Sequence, residues 1–266
     1  MPLATPAPAT TFHFVSLDTP EHPQTAHLVA EVAVAINYNG LNHAVMMASP
    51  QDLEDFACGF SLGQGIISAT TELLDLDILL DEQQAQVAIQ LSSRRLWQLK
   101  QQRRQLAGTA GCGLCGTQAI EQALPQLTPL PESPLPARKA LEGLRERLAC
   151  WQTQAHLSGA MHAAAFVDQH GDLQLCREDI GRHNALDKLI GALARQHIPC
   201  QQGFAVITSR CSLELIHKAV RAGLPTLVSL SAPSQLSVHW ARQLGLNLIH
   251  LPHHSAPRVY HAGQSQ

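Results

Sequence analysis

Beyond residue 160 the chain alternates between two hydrophobic rhythms, and this alternation limits the folds open to it more than any other feature. Short apolar runs at Met161–Val167, Leu173–Arg177, Phe204–Thr208, Thr226–Leu230 and Leu246–Leu251 read as strands. Between them, Leu186, Leu189, Ile190 and Leu193 fall at helical spacing, as do the segments Ser212–Ala222 and Ser234–Leu244. Strands that alternate with helices predict a three-layer α/β domain with a largely parallel C-terminal half. Just upstream, Leu141, Leu144, Leu148 and Trp151 line one face of what reads as a single helix.

Residues 125–136 carry five prolines and one charge. That composition predicts a linker, with an N-terminal α+β domain over residues 30–124 and the α/β domain over residues 137–266. Residues 1–29 are expected to form a mobile arm and a first strand, the first ten being rich in Pro, Ala and Thr. Ala30–Tyr38 reads as a strand, Asn39-Gly40 as a two-residue hairpin turn and Leu41–Met47 as the returning strand. Ser49 is expected to cap a helix that has Pro50 at its first position and Leu53, Phe56, Ala57 and Phe60 on its apolar face. Strands are expected near Leu73–Leu80 and Ala85–Leu91, a basic helix from Arg94 to Arg104, and a short helix from Thr117 to Leu124.

With 18 Lys and Arg against 21 Asp and Glu, the chain has no general attraction to nucleic acid or to an anionic membrane, so an anionic ligand needs a local patch. The N-terminus lacks the basic start and apolar run of a secretory signal, and no segment reaches the roughly 20 apolar residues of a membrane span. Seven cysteines at irregular spacing do not form a disulfide framework, and a reducing cytoplasm is the expected setting.

The sharpest chemistry lies in Gly111-Cys112-Gly113-Leu114-Cys115-Gly116. A Cys-x-x-Cys spacing lets two sulfurs address one point. A structural zinc site normally needs four ligands, and no second such pair is present. A thioredoxin-like motif would follow a strand and open a long helix, whereas three glycines here favour a flexible loop. Arg103, Arg104 and the helix start near Thr117 favour the thiolate. Sulfur transfer, thiol–disulfide exchange, partial metal binding and a loop without chemistry all stay open on the pattern alone.

Several motifs in order narrow the choice. Ser49-Pro50-Gln51-Asp52-Leu53-Glu54-Asp55-Phe56, the cysteine loop, and Arg177-Glu178-Asp179-Ile180-Gly181-Arg182-His183-Asn184-Ala185-Leu186-Asp187-Lys188 together resemble the formate dehydrogenase accessory sulfurtransferases. Thr208-Ser209-Arg210 and Ser231-Ala232-Pro233-Ser234 are further matches, and the resemblance runs from Glu31 to Leu251. It implies a C-terminal domain of the cytidine-deaminase-like fold and a homodimer. It also implies a sulfur carrier, loaded by a cysteine desulfurase, that serves the bis-guanine-dinucleotide molybdenum or tungsten pterin cofactor (Mo-bis-MGD) of apo-formate dehydrogenase. Carried over, Cys112 is the persulfide-bearing residue and Cys115 its partner. Leu251, Pro252, His253, His254, Ser255 and Ala256 occupy the place of the family's cofactor-binding tail, although the usual glycine, aromatic and arginine are replaced. The alternatives are a cofactor-binding chaperone without chemistry and a thiol–disulfide oxidoreductase.

Deaminase chemistry is not expected. It needs a zinc-bound water, a His-x-Glu and a Pro-Cys-x-x-Cys, whereas Pro199-Cys200 is followed by Gln201, Gln202 and Gly203. The fifteen histidines lack metal-ligand spacing, so no native metal site is expected. Arg210, after a strand, and Arg182, at a strand-to-helix junction with Asp179 and His183, are further cofactor-binding candidates, with helix capping and core hydrogen bonds an equal account of the junction. The basic helix reads as a solvated face or a phosphate contact. The remaining cysteines read as packing residues.

Overall fold

The computed structural model of the chain describes residues 10–107 and 124–260. Strands β1 (Thr10–Val15) and β2 (Pro23–Leu28) form an antiparallel hairpin. Next come β3 (Val32–Tyr38), β4 (Leu41–Ala48), helix α1 (Leu53–Gly63), β5 (Leu73–Leu80), β6 (Gln84–Leu91) and α2 (Ser93–Ala107). Short helices α3 (Arg138–Leu141), α4 (Leu144–Ala149) and α5 (Ala155–Ser158) precede β7 (His162–Asp168) and β8 (Leu173–Asp179). The chain then alternates through α6 (Arg182–Arg195), β9 (Gly203–Ile207), α7 (Leu213–Arg221), β10 (Thr226–Ser229), α8 (Gln235–Gln243), β11 (Asn247–His250) and β12 (Arg258–Tyr260). None of the described helices is long and apolar enough to cross a membrane.

The larger sheet has the order β12-β11-β10-β9-β7-β8. Its strands β9, β10 and β11 are parallel, while β7 runs against β9 and β8 against β7. Both faces are covered, which is why these strands read as nearly unbroken apolar runs. Ala164, Phe166, Ala205, Ile207, Leu227 and Leu248 pack under α6, α7 and α8. On the opposite face, Ala165, Val167, Phe204, Val206, Val228 and Ile249 pack with Leu141, Leu144 and Leu148. The result is the expected three-layer α/β/α sandwich.

The smaller sheet, β4-β3-β6-β5, buries Val32, Val34 and Ile36 of β3 with Val87 and Ile89 of β6 against Phe56, Ala57 and Phe60 of α1. The hairpin at Asn39-Gly40 forms as expected, with φ of 48° and 79°. The other face of α1 lies on α6. At their crossing, a Cβ on Gly59 would stand 1.7 Å from the Asp187 carbonyl oxygen, and one on Gly191 1.8 Å from that of Asp55. Only glycine permits this approach.

Four sequence expectations need correction. Ser49 does not cap α1; Asp52 holds that position with φ 54° and makes no side-chain cap. The helix expected through Leu141–Trp151 is broken at Gly143, whose φ of 59° turns the chain and separates α3 from α4. Leu141, Leu144 and Leu148 still share one core, but Trp151 is exposed. Strands β2 and β12 were not anticipated. The proline-rich segment is laid against the larger sheet: Leu130 N donates to Leu244 O at 2.8 Å, and Asn247 Nδ2 donates to Ser133 O at 3.1 Å. The helix expected at Thr117–Leu124 lies almost wholly outside the described residues.

Candidate functional site

Parallel strands bring their carboxyl ends to one edge, where ligands of open α/β sheets bind. Here β9, β10 and β11 end in register, with Ser229 paired to both Ile207 and His250. Because β7 runs the other way, it begins at this edge with His162, whose partner on β8 is Asp179. Helices α6, α7 and α8 also start here. The edge therefore gathers Arg182, Arg210 and the Leu251–Ala256 tail from distant parts of the sequence.

Hydroxyl groups fix the loops of this edge. Ser229 Oγ lies 2.9 Å from Ser209 O and 2.6 Å from Ser231 O, and Ser231 Oγ donates to Thr208 O at 3.1 Å. Ser234 caps α8 by accepting from Ser237 N at 3.1 Å. The start of the tail is held by Arg145, whose Nη2 donates to Leu230 O at 2.9 Å and to Leu251 O at 3.0 Å. Beyond it, His253, His254, Ser255 and Ala256 are exposed, with the two imidazole rings 4.4 Å apart, before β12 returns to pair Arg258 with His250.

The edge combines three arginines and three imidazoles with the carboxylate of Glu214. Arg210 and Arg258 are exposed and Arg182 half-buried, and none of the three has an ion-pair partner among the described residues. His183 Nε2 lies 3.2 Å from Ser212 Oγ and 3.3 Å from Glu214 Oε2. Burial, reinforced by Arg182, holds His183 and His162 below the ordinary imidazole pKa, although Glu214 opposes this at His183. His250 is shifted the same way by burial and then by Arg258 and Arg145, and its Nδ1 is buried with no hydrogen-bond partner among the described residues. Guanidiniums without an ion-pair partner among the described residues suit an anionic ligand rich in oxygen.

Other candidates separate from this edge. Asp179 is fully buried and paired with Lys188 at 2.7 Å, while Ser49 N and Oγ donate to it at 3.0 and 2.9 Å. The core account of that junction therefore holds for Asp179. Asp55, buried under Arg177 at 2.8 Å and Arg195 at 2.5 Å, ties α1 to β8 and α6 in the same way. Pro199-Cys200 lies before β9, at the opposite end of the strands from the candidate edge. In the basic helix, Arg95 pairs with Glu72 at 2.7 Å.

Cys112 and Cys115 lie outside the described residues. Burial pushes the Cys58 and Cys200 thiols up to about 11 and those of Cys176 and Cys211 to about 12, so none of these is a ready nucleophile at neutral pH. Among the described residues, no group of three His, Cys, Asp or Glu side chains is placed to hold a metal. Arg145 and Arg258 were missed by the sequence reading. Arg145 sits inside a short helix with no motif, and Arg258 became significant only once β12 was seen to fold back.

Fold and edge define an α/β protein whose parallel strand ends carry an arginine-rich edge. The chain belongs to the FdhD/NarQ family, whose model matches residues 29–265. It is 44% identical over 222 residues to the sulfur carrier protein FdhD of Variovorax paradoxus, covering 83% of this chain and 80% of that protein. It is 46% identical over 227 residues to the sulfur carrier protein FdhD of Xanthomonas campestris pv. campestris, with 84% and 79% covered. The counterpart from Bordetella petrii is 39% identical over 238 residues, with 89% and 85% covered. A crystal structure of a formate dehydrogenase accessory protein from Desulfotalea psychrophila shares the fold, with TM-score 0.71 and 23% identity over 98% of both chains.

Proposed function

We propose that this chain carries sulfur for the maturation of a formate dehydrogenase. The relatives' names and the position of the Cys-x-x-Cys loop support the carrier role, and the cationic edge supports a bulky anionic acceptor. In the loading step, the Cys112 thiolate attacks the outer sulfur of a cysteine desulfurase persulfide. One S–S bond forms at Cys112 as the donor's S–S bond breaks, and the desulfurase leaves as a thiolate. In the release step, Cys115 attacks the Cys112 sulfur, and the outer sulfur departs as hydrosulfide. The two thiols supply the two electrons and end as a disulfide, which thioredoxin-type reductants can reopen.

The acceptor in this reading is the Mo-bis-MGD cofactor, or its tungsten counterpart, bound as substrate before its insertion into apo-formate dehydrogenase. Its guanine dinucleotide phosphates match Arg182, Arg210 and Arg258, and the Leu251–Ala256 loop closes over the same edge. Arg145 positions that loop. The protein works as a homodimer in the cytoplasm, without a zinc of its own.

The observation that carries this reading is the set of three unpaired arginines at the strand ends, in a chain whose relatives are sulfur carriers. The test is rescue of formate dehydrogenase activity in a host lacking its own carrier. The wild-type chain should restore activity and Cys112→Ser should not. Full rescue by Cys112→Ser would instead identify a cofactor-binding chaperone.

A further inference from the structure

A cavity of about 300 Å³ opens at the other end of the parallel strands. Ile190, Ala194 and Ile198 from the end of α6 and the loop after it, with Leu62 of α1, give it an apolar lining. Arg221, the last residue of α7, contributes the charge, and Ser68, Thr70 and Gln201 contribute polar groups.

Arg221 is half-buried and has no ion-pair partner among the described residues. Its Nη1 donates to the Gly63 carbonyl at 2.7 Å, which leaves the edge formed by Nε and Nη2 without a hydrogen-bond partner among the described residues. Gly65, with φ 72°, packs against that guanidinium; a Cβ there would stand 3.4 Å from Nε. Burial lowers the Arg221 pKa, yet a guanidinium keeps its charge in proteins. A half-buried cation beside apolar walls, with no counter-charge among the described residues, favours an anionic ligand. Cys200 also lines the cavity, and its thiol is raised to about 11 by burial, so it is part of the apolar wall and not a nucleophile.

We propose that this cavity binds a small organic carboxylate, with its oxygens on the Nε–Nη2 edge of Arg221 and its aliphatic body against Ile190, Ala194 and Ile198. The planar fork matches a carboxylate, and a single guanidinium balances a monoanion. The volume is at the lower end for ligand pockets, which excludes a dinucleotide cofactor. The site is separate from the strand-end edge and does not depend on the sulfur-carrier reading.

The test titrates the full chain with hexanoate by calorimetry and follows its melting temperature, with hexanamide and 1-hexanol as uncharged controls. Hexanoate should saturate one site and raise the melting temperature, and the controls should bind at least about tenfold more weakly. Arg221→Gln should bind acid and amide alike. Arg221→Lys should keep part of the preference, and Ala194→Leu should block hexanoate by filling the cavity. The proposal is overturned if wild type shows no saturable hexanoate binding, or binds hexanamide equally well. It is also overturned if folded Ala194→Leu binds hexanoate as wild type does. Should Arg221→Gln fail to fold, Arg221→Lys and Ala194→Leu still decide.

Discussion

Lys188 and Asp179 have no exposed surface, and their pairing makes the motif around them a structural hub. Lys188 Nζ also donates to the carbonyl and the hydroxyl of Ser49, each at 3.0 Å, so one ammonium joins α6, β8 and the loop before α1. Removing one partner strands a buried charge. Lys188→Met should therefore cost about 3–5 kcal/mol in urea unfolding, and adding Asp179→Leu should recover much of that loss. A Lys188→Met protein as stable as wild type would show that Asp179 is not held ionised by this lysine. The sequence hid this arrangement because charged residues are by default exposed; the same letters that carried the family resemblance read as a ligand site and turned out to be partly core. His217 makes a second case. It packs edge-on against Trp240 at 5.2 Å, and its Nε2 is buried without a hydrogen-bond partner among the described residues. Burial, and then Arg221, lowers its pKa from 6.5 to about 4. The unfolded chain thus binds a proton that the folded chain refuses, so the stabilisation is whole above pH 6.5 and is lost as pH falls toward 4. His217→Phe should flatten the decline between those limits by on the order of 2 kcal/mol, read from urea midpoints at a series of pH values. An unchanged slope would mean that other groups dominate.

The crossing of α1 and α6 is the contact on which both sheets rely, and it depends on two glycines, one on each helix. Gly59→Ala would drive a methyl to 1.7 Å from the Asp187 carbonyl oxygen, so the helices must move apart. The expected loss is at least about 1–3 kcal/mol by chemical denaturation, and Gly191→Ala should behave alike. Stability unchanged in either variant would contradict the close crossing. At this scale much was legible. The alternating runs located β7 to β11 and the helices between them, and Asn39-Gly40 set the β3–β4 turn, because periodicity and turn chemistry are local. The misses are also physical. Gly143 broke a helix whose apolar stripe continued across the break, and the three-residue β12 is too short to show a period. The Gly59–Gly191 contact has no local signature at all, since each glycine is explained only by the other.

For the whole molecule, the candidate site was legible in part. Arg182, Arg210 and the tail were named from motif positions, and parallel topology is what brings them to one edge. Arg145 and Arg258 could not be found without the order of the strands. Because Arg210 and Arg258 are exposed and have no ion-pair partner among the described residues, replacing both with serine should change stability by no more than about 0.5 kcal/mol each. The same double variant should bind the pterin guanine dinucleotide cofactor more weakly in a fluorescence titration, with less sensitivity to added salt than wild type. Equal affinity and equal salt dependence would remove the edge from the account. The central claim concerns the cysteine, and its most direct test is the intact mass of the protein after incubation with a cysteine desulfurase and cysteine. Wild type should gain one sulfur atom that reductant removes, and Cys112→Ser should gain none. Absence of that gain in wild type, under conditions that load a control acceptor, would contradict the carrier role.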